Sequence, residues 1–220
     1  MIEIKGNGNI VSKEITVSSF LRLHISGKGL IELIQSQDEK VIIEADENLL
    51  DCFDAQNSGS TLYVSVDGKL RKPVFTKCVV KVYLRQLDSL VIRCEGGNVI
   101  CPDPIKLSTP IDIKIQSEGN SSLNFDAPSI RLLSQCEGDV EIKGKCGSIT
   151  VKNQSQGNFS SKELIAEDLT FKNMASGNIE LYADKTISIT HMGSGYIHYF
   201  GNAVLKGIKQ FGDGEVAHRG

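Results

Sequence analysis

One short motif recurs along the second half of this sequence, and its spacing limits the folds that the chain can adopt. The clearest copy reads Ser-Gly-Asn-Ile at residues 176–179, and every related copy is centred on a glycine. These key glycines follow one another at intervals of 19, 19, 20, 18 and 19 residues: Gly119, Gly138, Gly157, Gly177, Gly195 and Gly214. A repeat this short and regular is typical of a solenoid, in which each repeat forms one coil.

The pattern of apolar residues within each repeat predicts β-strands. Apolar residues stand eight and six positions before the key glycine, as Ile187 and Ile189 do before Gly195, and a small residue stands two positions before it. Side chains on an extended chain alternate between two faces, so these even offsets form stacked inward columns. No segment keeps a 3.6-residue apolar period over three turns. We therefore predict an all-β fold, a single-stranded parallel β-helix or β-solenoid with coils of about 19 residues.

The N-terminal part follows the repeat less regularly. Copies of the motif occur at residues 6–11 and 26–33, whereas residues 34–88 are rich in strand patterns without a fixed period. We predict an N-terminal β-rich part at residues 1–93, containing the first coils and an irregular insertion at 34–88. A regular β-solenoid at residues 94–220 follows it. One continuous domain is the alternative.

Composition argues against several classes of function. The chain has 40% hydrophobic and 23% charged residues, which is ordinary for a soluble globular protein. Its net charge of −3 and its lack of Trp give no basis for nucleic-acid binding. The six cysteines form no C-x-x-C pair, and the four histidines do not complete a zinc pattern. We expect no metal and no cofactor, and we interpret the cysteines as buried thiols.

Residues on either side of each key glycine have odd offsets and should face solvent. An Asn or Asp follows four of the six key glycines, and stacked Asn side chains hydrogen-bond along a ladder. We favour this structural interpretation. The alternative is a ligand or cation site at Glu118, Glu137 and Asp139, since carboxylates on adjacent coils repel unless a cation bridges them, and Ca²⁺ prefers oxygen ligands.

A second outward column changes from polar to apolar along the chain. Three positions before the key glycine the first copies carry Gln, and the later copies carry Met174, Met192 and Phe211, with Tyr196 close by in sequence. Contiguous exposed apolar residues tend to mark an interface, and the last coil of a solenoid leaves an open edge. We predict an interface at Met174, Met192, Tyr196 and Phe211, used for homo-oligomerisation or covered by the C-terminal residues.

Catalytic motifs are absent from the sequence. There is no G-x-S-x-G nucleophile motif and no phosphate-binding loop with its Lys. Glu137 and Asp139 could act as the carboxylate pair of a polysaccharide-cleaving solenoid, but a chain this rich in acidic residues offers such pairs by chance. We therefore expect no enzymatic activity, and a polysaccharide-active β-helix enzyme remains the alternative.

Three groups of residues together resemble the head GIN domain family. The first is the Gly-Asn-Ile motif at residues 8–10 and 177–179, and the second is the opening segment at 17–29. The third is the block at residues 41–49, which is followed by Leu-Tyr-Val at 62–64. The resemblance covers essentially the whole chain.

This resemblance implies a β-helical fold and an autotransporter-adhesin-like role of a kind common in Bacteroidetes. Members are usually secreted or lipid-anchored and have no established activity, so the family supplies no site residues. We expect a place at the cell envelope or surface, partners that are surface glycans or proteins, and membrane attachment only through a lipid anchor outside this sequence. Residues 1–6 lack the apolar centre of a signal peptide. A cytoplasmic structural scaffold therefore remains a further alternative.

Overall fold

In the computed structural model, which describes residues 2–66 and 71–220, the chain forms 22 strands and one short 3₁₀ helix. The N-terminal elements are β1 (Ile2–Lys5), β2 (Ile10–Thr16), β3 (Arg22–Gly27), β4 (Leu30–Gln35), β5 (Lys40–Asp46), the helix η1 (Glu47–Cys52), β6 (Phe53–Ser58), β7 (Thr61–Val66), β8 (Arg71–Val74), β9 (Cys78–Leu84) and β10 (Ser89–Cys94).

The remaining strands are β11 (Val99–Ile100), β12 (Ile105–Lys106), β13 (Ile111–Ser117), β14 (Ser121–Ser134), β15 (Val140–Asn153), β16 (Phe159–Ser160), β17 (Leu164–Asn173), β18 (Ile179–Tyr182), β19 (Thr186–His191), β20 (Ile197–Phe200), β21 (Val204–Gln210) and β22 (Val216–His218).

The strands stack in parallel on two faces of one solenoid. The first face runs through β7, β3, β10, β13, β14, β15, β17, β19 and β21. The second face runs through β9, β4, β11, β14, β15, β16, β18, β20 and β22. This parallel stacking confirms the predicted β-solenoid. Two strands are longer than a single face, because β14 and β15 pair continuously around the corner that joins the faces.

The inward columns predicted from the even offsets form the core. Ile187 and Ile189 are 0% and 2% exposed, and the rings of Phe159 and Phe171 pack with centroids 5.1 Å apart. Burial of such side chains supplies most of the stabilisation of a fold of this kind. Four cysteines are also buried, and burial raises the pKa of Cys101 to about 12.

Strands β5, β6, β7 and β9, together with β2, close the N-terminal end of the stack. β7 and β9 lie parallel to β3 and β4 and so add a further coil to the solenoid. The direction then reverses, because β6 pairs antiparallel with β7, β5 pairs antiparallel with β9, and β2 pairs antiparallel with β5. The outer strands carry Lys13, Glu14 and Asp54, and charged side chains at a strand edge discourage further pairing.

Strand pairing is continuous between the N-terminal part and the regular solenoid. β10 hydrogen-bonds β3 on one side and β13 on the other, with Leu90 in register with both Leu23 and Ile113. All three side chains are buried in one apolar cluster that contains residues from both parts.

The C-terminal end of the stack is open. β21 hydrogen-bonds β19, β22 hydrogen-bonds β20, and every residue of β21 is exposed. Ile208 is 38% exposed, although its register partner Ile189 in the preceding coil is 2% exposed. The last coil therefore exposes to solvent apolar residues whose register partners in the preceding coil are buried. None of the helical residues described forms a segment long and apolar enough to cross a membrane.

Candidate functional site

The corner that contains the key glycines is a close backbone contact between coils. A Cβ atom added to Gly177 would lie 2.1 Å from the carbonyl oxygen of Gly157, and one added to Gly193 would lie 1.7 Å from that of Ala175. Real Cβ atoms do not approach backbone so closely, so the coils can stack here because glycine lacks a side chain. The residues beside each glycine are thereby held in two straight outward columns.

A ladder of glutamines forms the first of these columns. Gln116 donates from Nε2 to Oε1 of Gln135 at 3.0 Å, and Gln135 donates in the same way to Gln154 at 2.9 Å. Gln154 then has a thioether as its neighbour, with its Nε2 3.6 Å from Sδ of Met174. The amide ladder therefore ends where methionine replaces glutamine, and the column continues as an apolar surface.

We call this continuation the apolar corner and define it as Met174, Met192 and Phe211, which lie on three successive coils. Their exposed fractions are 43%, 39% and 74%. A surface depression of about 420 Å³ is lined by Met174 and Met192, with Ser176 and Asp213 at its polar margin. The structure thus brings together three of the four residues predicted as an interface. The last of them, Phe211, lies at the open C-terminal end.

Tyr196, the fourth predicted interface residue, lies in the other outward column, on the far side of the key glycines. It is 37% exposed, and its ring stacks on His198 with centroids 4.2 Å apart. Its backbone N–H donates to Oδ1 of Asn178 at 3.4 Å. Tyr196 does not line the depression beside the apolar corner.

This second column is a ladder from side chain to backbone. In each coil Oδ1 of an Asn or Asp accepts the backbone N–H of the equivalent residue in the next coil, at 2.8–3.4 Å. The acceptors are Asn98, Asn120, Asp139, Asn158 and Asn178. The favoured interpretation was a ladder between Asn side chains; the observed hydrogen bonds instead join each side chain to a backbone N–H.

The three predicted carboxylates have different surroundings. Asp139 is a member of the ladder, since its Oδ1 accepts from the N–H of Asn158 at 2.8 Å. Glu118 and Glu137 are exposed on neighbouring coils, one position before their key glycines. Among residues 2–66 and 71–220, no group of three or more His, Cys, Asp or Glu side chains is placed to hold a metal ion.

A buried polar column was not predicted from the sequence. Asn153 donates to Oδ1 of Asn173 at 3.0 Å, and Nδ2 of Asn173 lies 3.2 Å from Nδ1 of the buried His191. In the last coil Gln210 occupies the same register position and hydrogen-bonds the carbonyls of Gly212 and Gly214. Polar residues four positions before successive key glycines, at an inward offset, were the signal that could have found this column.

Comparison with known proteins places the chain among adhesin-like solenoids. The model of the family "Putative auto-transporter adhesin, head GIN domain" matches residues 19–203. No curated protein matches the sequence.

The fold is shared with solved structures of other proteins. A "putative adhesin" from Bacteroides fragilis is 22% identical with a TM-score of 0.89, over 98% of this chain and 100% of that one. A "putative adhesin" from Parabacteroides distasonis is 20% identical with a TM-score of 0.75, over 99% and 100%. A "putative lipid binding protein" from the same species is 20% identical with a TM-score of 0.69, again over 99% and 100%. At these identities the likeness concerns the fold alone.

Proposed function

Because this chain belongs to the head GIN domain family, we propose that it is a non-enzymatic, adhesin-like β-solenoid of the cell envelope or surface. Its contact surface in this proposal is the apolar corner together with the open C-terminal end. The observation that carries the proposal is the contrast between the two ends, one closed by antiparallel strands and the other left as an exposed apolar coil.

The open end has the features of a surface that needs a partner. β21 and β22 each hydrogen-bond one neighbouring strand, so their outer backbone groups face away from the stack, and unpaired strand edges are templates for pairing. Val204, the first residue of β21, and Phe211, which follows its last residue, are 62% and 74% exposed. Exposed apolar surface next to a free strand edge favours association.

A second copy of the chain fits this end. In a two-fold arrangement each copy covers the same apolar residues on the other, and both strand edges gain partners. The charges also suit such a contact, since Lys206 projects from β21, whereas Asp213 precedes β22. Laying β21 of one copy over β22 of the other brings these opposite charges together.

The experiment is sedimentation of the purified chain over a range of concentrations. We expect the wild type to dimerise, and we expect the double variant Met192→Glu, Phe211→Glu to stay monomeric, because two carboxylates would be desolvated in the contact. The matched control is Leu21→Glu, Ile165→Glu, which changes two side chains of similar exposure, 46% and 49%, on other surfaces. A wild type that stays monomeric, or a double variant that dimerises like the control, would refute the contact.

A further inference from the structure

The outward side of the first face is strongly basic, although the whole chain has a net charge of −3. Two outward rows follow the stacking axis along this face. Together they carry six cations and one carboxylate, namely Arg22, Asp112 and Arg131 in one row and Lys114, Lys152, Lys172 and Lys209 in the other. The second of these rows therefore carries four lysines and no carboxylate.

We call the second of these sets the lysine row: Lys114, Lys152, Lys172 and Lys209. It spans five coil steps, or about 24 Å at a strand spacing of about 4.8 Å. Leu133 stands between the first two lysines, and Thr190 stands between the last two. Lys152 and Lys172 are direct register partners on adjacent coils, so two like charges lie side by side.

Within the described residues, the lysine row lacks the ion pairs that several lysines on other surfaces of the solenoid form. Six lysines on other surfaces form ion pairs with glutamates: Lys40, Lys77, Lys81, Lys143, Lys162 and Lys185. In the part of the chain that the structure describes, no lysine of the row has such a partner. Like charges directly opposite each other on neighbouring strands are destabilising, so the row gains most from an external anion.

The row also borders a depression suited to a ligand. A concavity of about 490 Å³ lies between Lys114 and Lys152, with Val91 and Leu133 contributing apolar surface and Thr150 a hydroxyl. Arg131 at its edge is already paired with Asp112, at 3.0 Å. Cations, hydroxyls and a small apolar surface along one straight line are the groups that an extended acidic sugar chain would contact.

We propose that the lysine row binds a linear polyuronate, a polysaccharide whose repeating carboxylates lie along the stacking axis. Nucleic acid fits the row less well, because base recognition uses stacked aromatic side chains and the lysine row has none between Lys114 and Lys209. The hydroxyls of Thr150, Thr170 and Thr190 stand beside the lysines and can bond sugar hydroxyls. This inference goes beyond the proposed function and concerns a different surface from the apolar corner.

The test is calorimetric titration of the full chain with polygalacturonate at low ionic strength. We expect the wild type to bind, and we expect Lys152→Gln, Lys172→Gln to bind about tenfold more weakly, because each cation that contacts a polyanion contributes counter-ion release. The control is Lys13→Gln, Lys145→Gln, which removes two exposed strand lysines on other surfaces and should bind as the wild type does. Added salt should weaken wild-type binding, since it screens exposed charges.

Four outcomes would overturn the proposal. The first is a wild type that does not bind polygalacturonate, and the second is an equal loss of affinity in both lysine variants, which would mean that only the net charge of the chain matters. The third is tighter binding of single-stranded oligothymidylate, and the fourth is equal binding of a neutral glucan. The variant Met192→Glu, Phe211→Glu should still bind polygalacturonate, so a failure of the apolar contact and a failure of the lysine row are distinguishable.

Discussion

Small differences between side chains decide where the coils can approach one another and where the candidate site is exposed. At the corner, the absence of a Cβ on the key glycines permits contact between backbones. Three residues earlier in the repeat, the exchange of the Gln154 amide for the Met174 thioether ends a hydrogen-bonded ladder and begins an apolar surface. Both differences lie at fixed positions of the repeat, and both determine the shape of the candidate site.

The corner glycines should be intolerant of alanine. We expect Gly177→Ala to destabilise the chain by about 1–3 kcal/mol, because the new Cβ meets the backbone of Gly157 at 2.1 Å and the coils must separate. Gly207→Ala is the matched control, since a Cβ there has nothing within 4 Å. Chemical denaturation of both variants measures the difference. Equal stabilities would mean that the coils are not in contact at this corner.

Asp139 distinguishes the ladder from the cation site. The ladder needs an acceptor oxygen, so Asp139→Asn should change stability by less than about 0.5 kcal/mol, while Asp139→Ala should cost about 1 kcal/mol by leaving the Asn158 N–H without its acceptor. Thermal unfolding with and without Ca²⁺ reports on the alternative. A rise in the melting temperature with Ca²⁺ that Asp139→Asn abolishes would support a cation site with Glu118 and Glu137.

At the scale of elements, the sequence predicted which residues of a strand face inward. It did not predict which neighbouring strands run antiparallel. The offsets of Ile187 and Ile189 predicted inward columns, because alternation along a strand depends only on the local chain. Alternation is the same in parallel and antiparallel strands, so the sequence could not show that β5 and β6 reverse and close one end. The apolar corner was predictable from Met174, Met192 and Phe211. Parity could not separate Tyr196 from them, because Tyr196 also has an odd offset and differs only in lying after the key glycine.

The closing strand β5 is tied to β9 by an ion-pair cluster that should respond to acid. Hydrogen bonds from Lys77 and Lys81, at 2.8 and 2.6 Å, lower the pKa of Glu44 from 4.5 to about 2. A carboxyl whose folded pKa is depressed contributes stability above its unfolded pKa and loses that contribution as the pH falls through its folded pKa. The contribution of Glu44 should therefore disappear between about pH 4.5 and pH 2.

Urea unfolding of the wild type and of Glu44→Gln across this pH range measures the effect. The variant should be less stable than the wild type at neutral pH, and the two should converge at the acid end. Glu118→Gln, which changes an exposed corner carboxylate, is the control and should follow the wild type. A constant gap between wild type and Glu44→Gln down to pH 2 would contradict the assignment of the cluster.

At the scale of the whole molecule, the protein is a rod with three distinct surfaces. One end is closed, the other end and the adjoining corner are apolar, and one long face carries the unpaired lysines. The sequence predicted the rod and the apolar corner, because both repeat along the chain. The basic face was hidden, because the small overall charge conceals how charges separate once the coils are stacked.

The claim on which this account depends is that the rod makes its contacts outside the cytoplasm, and labelling of intact cells tests it most directly. Cells that express the protein from its native gene are treated with a membrane-impermeant amine-reactive reagent, and the modified lysines of the recovered chain are mapped. We predict modification of exposed lysines such as Lys152 and Lys172 in unbroken cells. Modification that occurs only after lysis, with a known surface protein labelled in both samples, would contradict the adhesin-like role.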